Sequence, residues 1–281
     1  MKRLMAWMHD FFGMLYSPSL QAKIVLGVIP FVVLGLVYQS AMLDRKAEKP
    51  DDRMLPSVNQ MYDEVAKYVV DRDMRTKQLT FLTDALSSLK RVCYGVVIGS
   101  ALALVVGLLA GVFPWFRAMI MPIVIFFSTI IPVSVLAMLM LVFGTDEIFK
   151  IALVCFGITF LMIRDASATV QSLPAEQKIK MLTLGGKSLS YIFYIVIPQI
   201  LPRFIETVSL YLGPAWGYVL VAEMMKADSG LAYRILLVKR SMNMPLIIPI
   251  VLLITAIAYV LYLGLRLLNK AAFPWYFEVK R

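Results

Sequence analysis

The side chains that could do chemistry are few, and their types exclude most of it. His9 is the only histidine. A histidine-based metal site, triad or proton relay therefore has too little to work with. Cys93 and Cys155 both lie inside apolar runs, with neither metal-site nor redox-motif spacing. They read as small buried hydrophobes. Gly186-Lys187-Ser188 has the ending of a phosphate-binding loop. The full pattern needs glycine at 181, where Met181 stands, and no parallel-sheet context precedes it. Nucleotide binding in this chain is excluded on those grounds.

What remains is polar chemistry inside apolar surroundings, where an ionisable side chain is a functional candidate by default. Glu206 and Glu223 sit near the two ends of one long apolar run. Each is either a contact for a passing solute or an interfacial group, and Glu223 alternatively fixes a helix end through a structural hydrogen bond. Ser128, Thr129, Pro132 and Ser134 cluster in another run. Backbone freed by Pro132 would line a cavity, as broken helices do in transporters. Trp216 and Tyr218, beside Pro214, line a path or pack in a core; packing is the commoner fate of such aromatics.

Those residues need membrane helices to position them. Of 281 residues 60% are hydrophobic and 16% charged, with a mean hydropathy of +0.78. Soluble domains are about 45–50% apolar. A bilayer core takes about 20 apolar residues per helix, and six runs approach that: Ile24–Leu43, Val92–Phe113, Met119–Phe143, Ile148–Ile163, Phe204–Met225 and Leu246–Leu268. The expected fold is all-α and polytopic, with about six transmembrane helices. Gly95/Gly99 and Gly107/Gly111 are small residues four apart, a spacing that lets helices approach closely in lipid. Pro122 and Pro132 predict kinks in the third run. The 18 methionines suit either sliding helices or plain membrane core.

The remainder divides around these runs. Residues 1–23 carry Leu4, Trp7, Met8, Phe11, Phe12 and Leu15 at helical spacing, which predicts an interfacial amphipathic helix; no signal peptide is read there. Residues 44–90 are a charged connection with short surface helices. Residues 91–268 form the core, with a polar stretch at 164–203 read as two short helices around Gly185-Gly186, and 269–281 form a tail. The net charge of +10 has no single basic face, which argues against nucleic acid as a partner. Lys and Arg also fall nearly evenly on both sides of six spans, so the positive-inside rule leaves the orientation undecided.

One polar stretch carries more information. Gly185 is followed by Ile195, Ile197 and Pro198 at intervals of ten, twelve and thirteen residues. This resembles the EAA loop of binding-protein-dependent ABC importer permeases. Ile179-Lys180-Met181 stand where Glu-Ala-Ala is usual, and Glu176 lies three residues early. Ala215-Trp216, Ala222-Glu223-Met224 and Gly230-Leu231-Ala232-Tyr233 are similar to a block of the nitrate, taurine, alkanesulfonate and bicarbonate group. Phe143-Gly144 with Glu147–Lys150, Leu55-Pro56-Ser57 and Pro274-Trp275 fit the same group.

The resemblance implies a type I ABC importer permease in a bacterial inner membrane. Residues 175–186 would dock in a groove of a separate ATPase subunit, with Ala175, Glu176, Met181, Leu184, Gly185, Gly186 and Pro198 shaping the loop. Lys178, Lys180 and Lys187 would meet an acidic rim. ATP and magnesium would bind the ATPase and no cofactor this chain. A second copy and a periplasmic solute-binding protein complete the partners, and the solute would be a small oxyanion such as a sulfonate, taurine or nitrate. Relatives often carry an arginine about where Ser209 sits, so its absence implies a path of different charge. A loop that meets an ATPase is cytoplasmic, which puts both termini inside. The competing readings are a polytopic membrane enzyme and a passive channel.

Overall fold

In a computed structural model, residues 20–48, 56–70, 79–241 and 244–278 are described, in two compact units split between Gln60 and Met61. The amphipathic helix expected before Tyr16 lies outside the described residues, as does Leu55. In the first unit, α1 (Leu20–Glu48) is a 29-residue helix containing Pro30. Its side chains from Val25 to Val37 are all exposed, as a helix surrounded by lipid requires. A capping box starts α2 (Val58–Val70): the Ser57 N–H donates to Gln60 Oε1 (2.9 Å), and the Gln60 N–H donates back to Ser57 Oγ (3.4 Å).

The second unit is a helical bundle. Its elements, after residues 61–70 of α2, are α3 (Thr80–Val112), α4 (Pro114–Thr129), a 3₁₀ turn (Pro132–Val135), α5 (Leu136–Phe143), α6 (Glu147–Gln171) and α7 (Ala175–Thr183). They are followed by α8 (Ser188–Met225), α9 (Leu231–Arg240), α10 (Ile247–Ala272) and α11 (Pro274–Glu278). No strand occurs among the described residues.

Glycine sets the central packing. α3 and α6 run parallel in a constant register: Gly95 lies on Val154, Gly99 on Ile158 and Thr159, Gly107 on Ala166 and Gly111 on Val170. A Cβ at Gly107 would stand 2.6 Å from that of Ala166. The small-residue pairs legible in the sequence are therefore a helix–helix seam. α6 also packs on α8, where Gly157 receives the Tyr218 ring.

By length and apolarity, four described helices can cross a membrane: the 25–45 stretch of α1, α3, α8 and α10. The bent pair α4 and α5, turned by 89° at Ile130-Ile131, makes a fifth if taken as one span. The run Ile148–Ile163 lies in α6, the most enclosed helix of the bundle, with charges at both ends. The break after Thr129 follows from Pro132, which fits the first turn of a helix and not its interior.

Four expected boundaries move. α3 begins at Thr80 rather than Val92, because Thr80, Asp84, Ser88 and Arg91 continue its buried face with polar groups. The stretch 164–203 is not one loop. Arg164 and Asp165 are polar and exposed, but Ala166, Ser167 and Val170 keep the same helix buried as far as Gln171. The piece Tyr191–Leu201, read as a separate short helix, is the start of the 38-residue α8. A π turn at Ile192–Val196 precedes Pro198 and absorbs its missing N–H and its ring. Likewise α10 continues to Ala272, so the expected tail begins within a helix, at buried Asn269.

Candidate functional site

Three places hold the functional side chains: the short loop at one end of the bundle, a charged cluster at the other, and a polar face between.

The loop end is built on α7. Pro174 precedes its first residue, Ala175, and Glu176 lies in the first turn, where a carboxylate suits the helix dipole. The helix stops in a Schellman motif. The Gly186 N–H donates to Met181 O (3.0 Å) and the Gly185 N–H to Leu182 O (3.1 Å). Gly185 takes φ +76, a left-handed conformation that needs no Cβ. Gly186 packs against Met181 so closely that a Cβ would stand 2.7 Å from its terminal methyl carbon. Gln199 Nε2 on α8 donates to Gln177 Oε1 (3.1 Å) and ties the loop to the helix that follows.

The result is a firm knob with an apolar tip. Leu184 is 85% exposed and Ile179 60%, and Leu182 is exposed beside them. Lys178, Lys180 and Lys187 are exposed around this tip. Pro198 lies two residues past the π turn, at the base of α8.

At the opposite end, three stretches far apart in sequence become one cluster. Arg91 on α3 is its hub. Its guanidinium reaches Glu147 (Nε–Oε2 2.5 Å, Nη2–Oε1 2.8 Å), Glu223 Oε1 (2.7 Å) and the Ser229 carbonyl (2.8 Å). Lys150 adds a second cation on Glu147 at 2.7 Å. Glu223 also accepts from Ser88 Oγ (2.7 Å) and the Ala232 N–H (3.0 Å). Asp84 accepts from the Gly230 N–H (3.0 Å), Arg234 Nε (2.8 Å) and the Tyr68 hydroxyl (2.9 Å). The Leu231 N–H donates to Ser88 Oγ at 2.9 Å.

The cluster therefore caps α9. The first N–H groups of a helix lack intrahelical partners and carry partial positive charge. Here those of residues 230–232 meet two carboxylates and a hydroxyl. Burial, then Asp84, pushes the Tyr68 phenol above its ordinary value. Three blocks that the sequence shows separately, Glu147–Lys150, Ala222-Glu223-Met224 and Gly230–Tyr233, come together here. Asp84, Ser88 and Arg91 are missing from the sequence reading. Their signal was present: polar residues at intervals of four and three recur on one face as an apolar helix begins.

The proposed path residues separate. Glu223 is 1% exposed and fully bonded, and Trp216 is 3% exposed inside the main core. Neither faces an open path in one protomer. Tyr218 packs between α6 and the core around Leu136, Phe149 and Ala222. Ser209 is buried and donates to its own helix at Ile205 O (2.9 Å). Glu206 accepts from the Tyr276 hydroxyl (3.1 Å) and, with Ser209, Arg266 and Asn269, lines a cavity of about 480 Å³.

Ser128, Thr129, Pro132 and Ser134 do gather at the break between α4 and α5. The hydroxyls of Ser128, Thr129 and Ser134 donate to carbonyls three residues back. Ser128 also accepts from Arg164 Nη1 at 3.1 Å. Among the described residues, no group of three or more His, Cys, Asp or Glu side chains is placed to hold a metal ion.

Residues 100–277 match the family described as the binding-protein-dependent transport system inner membrane component. The chain belongs to that family. It is a multi-pass permease subunit of the ABC importer class, with the type I fold. Curated relatives agree. The taurine transport system permease protein of Escherichia coli is 25% identical, over 69% of this permease and 70% of its own length. A probable ABC transporter permease of Brucella melitensis is 36% identical over 54% and 61%. The nitrate import permease protein of Synechococcus elongatus is 24% identical over 73% and 74%. The permease spans about three fifths of the Brucella protein's length and more of the other two.

Proposed function

We propose that two copies of this permease enclose one solute path, and that α7 with its glycine end is the handle through which a separate ATPase drives them. The observation that carries this is the Schellman-capped knob. A permease without a nucleotide site receives force only through a rigid contact. The knob offers Leu184, Ile179 and Leu182 as an apolar tip, ringed by three lysines. An apolar centre with a charged rim suits a docking contact in which charge guides approach. Tied to α8 through Gln177 and Gln199, it turns loop motion into motion of a helix that crosses the membrane.

The second copy has a surface to meet. On α8, Gly213, Pro214 and Gly217 are exposed, and nothing lies within 4 Å of where a Cβ would stand on either glycine. Small residues four apart allow close approach of helices in lipid. With α7 facing the ATPase, both termini lie in the cytoplasm, and the charged cluster faces the periplasm. A periplasmic protein would deliver a small oxyanion there, in keeping with the taurine and nitrate named for the relatives. ATP with magnesium binds the ATPase.

The test is co-purification of the permease with an ATPase, followed by solute-stimulated hydrolysis in proteoliposomes. Stimulation that requires the permease supports the reading. A permease that purifies alone and passes solute without ATP is a channel, and the reading fails.

A further inference from the structure

Arg164 and Asp165 are the most deeply placed exposed charges of α6. The α3–α6 register fixes their depth: Gly99 lies on Ile158 and Gly107 on Ala166, so Arg164 stands level with Val105 and Asp165 with Val106. At 1.5 Å per residue that is about 11 Å inside the end of the apolar run at Phe113. A hydrocarbon core is about 30 Å thick, so both charges lie well within it. Both are exposed in the protomer. An arginine or aspartate facing lipid at such depth is strongly disfavoured, so this face borders water or protein.

The two charges are held apart by opposite neighbours. Arg164 leans towards α4, where Nη1 donates to Ser128 Oγ (3.1 Å) beside the helix break. Asp165 leans towards α8, where it accepts from the Tyr211 hydroxyl (3.0 Å). No ion pair joins Arg164 to Asp165 among the described interactions. Among the described residues the rest of the Arg164 fork has no hydrogen-bond partner, and the Asp165 carboxylate holds one hydrogen bond, from a phenol.

We infer that Arg164 and Asp165, steadied by Ser128 and Tyr211, form a solute-binding station within the membrane for a small zwitterion, with its oxyanion at Arg164 and its ammonium at Asp165. Guanidinium donors suit an oxyanion. A plain anion would gain from Arg164 and be repelled by Asp165, whereas a solute carrying both charges gains from each. The assignment rests on the importer reading above, which supplies the solute path that this face would border.

Two experiments test it in the complete transporter, assembled with its ATPase and binding protein. The first measures water access with Cys93→Ser and Cys155→Ser as background. Arg164→Cys should react with a membrane-impermeant thiol reagent at least tenfold faster than Val105→Cys at the same depth on α3. Equal rates place the face away from water and overturn the station.

The second measures uptake of taurine and of ethanesulfonate, which lacks the ammonium. Arg164→Gln should lower both at least tenfold. Asp165→Asn should lower taurine uptake at least tenfold relative to ethanesulfonate. Wild-type uptake by Arg164→Gln overturns the station, and equal effects of Asp165→Asn on the two solutes, or transport confined to solutes without an ammonium, overturn the zwitterion class. Uptake by the unaltered transporter that needs no ATP sinks the importer reading instead.

Discussion

Gly230 lies against the carboxylate of Glu223 so tightly that a Cβ on Gly230 would stand 2.5 Å from the Glu223 carboxyl carbon and from its Oε2. Gly230 also holds φ +135. The contact lets the N-terminus of α9 settle onto α8, and it explains why a glycine opens the Gly230–Tyr233 block.

Gly230→Ala should therefore destabilise the permease in two ways, by backbone strain of about 1–3 kcal/mol and by displacing Glu223 from Arg91. Thermal unfolding in detergent should show a lower midpoint. Gly264→Ala makes a control, since no atom lies within 4 Å of its Cβ position on α10. An equal midpoint for the two variants would contradict the account.

Arg91 joins two carboxylates, and Glu223 has no exposed side-chain surface. Arg91→Met leaves that buried charge unpaired, a change of about 3–5 kcal/mol in comparable buried pairs. Replacing both partners should recover part of the loss. The expected order in chemical unfolding is wild type, then Arg91→Met with Glu223→Gln, then Arg91→Met alone. A double variant no better than the single would show that the pair does not act as one unit.

Gly185→Val introduces a β-branched side chain at φ +76, where it is poorly tolerated. The Schellman closure should distort while the core stays folded, since Gly185 is exposed and of residues 175–186 only Met181 packs against a core cluster. Assembled transporter should keep ATP hydrolysis but lose uptake by tenfold or more. Full uptake would remove α7 from the coupling role.

Gly107→Val tests the α3–α6 seam. Its side chain would press on Ala166 and on the Ile163 carbonyl, which lies 3.0 Å from the Cβ position. Overpacking of this kind costs about 1–3 kcal/mol. Gly107→Val with Ala166→Gly should return much of the stability, measured by thermal unfolding. Recovery should stop short of wild type, because the contact with the Ile163 carbonyl remains.

Much of the fold was legible because membrane helices announce themselves locally. A run such as Val92–Phe113 needs only its own composition to be read, and Pro132 marks the break in the run Met119–Phe143 by its own missing N–H. The knob was legible too, since Gly185 and Gly186 close the helix through bonds to residues three and five positions away. Arg164 and Asp165 misled for the same reason. A local hydropathy reading ends a span at two charges, whereas the helix continues because its opposite face remains buried.

The sequence alone determined the class of molecule, the positions of its apolar runs and the glycine-ended loop, because each depends on neighbours within a turn or two of helix. Only the tertiary structure decided that Asp84, Ser88, Arg91, Glu147, Glu223 and Gly230 form one cluster, and that Trp216 and Glu223 belong to the interior. The partners of Arg91 are 56 and 132 residues away. No periodicity spans such distances. Which charges meet depends on how helices dock, and here the docking is governed by where glycine lets two backbones approach.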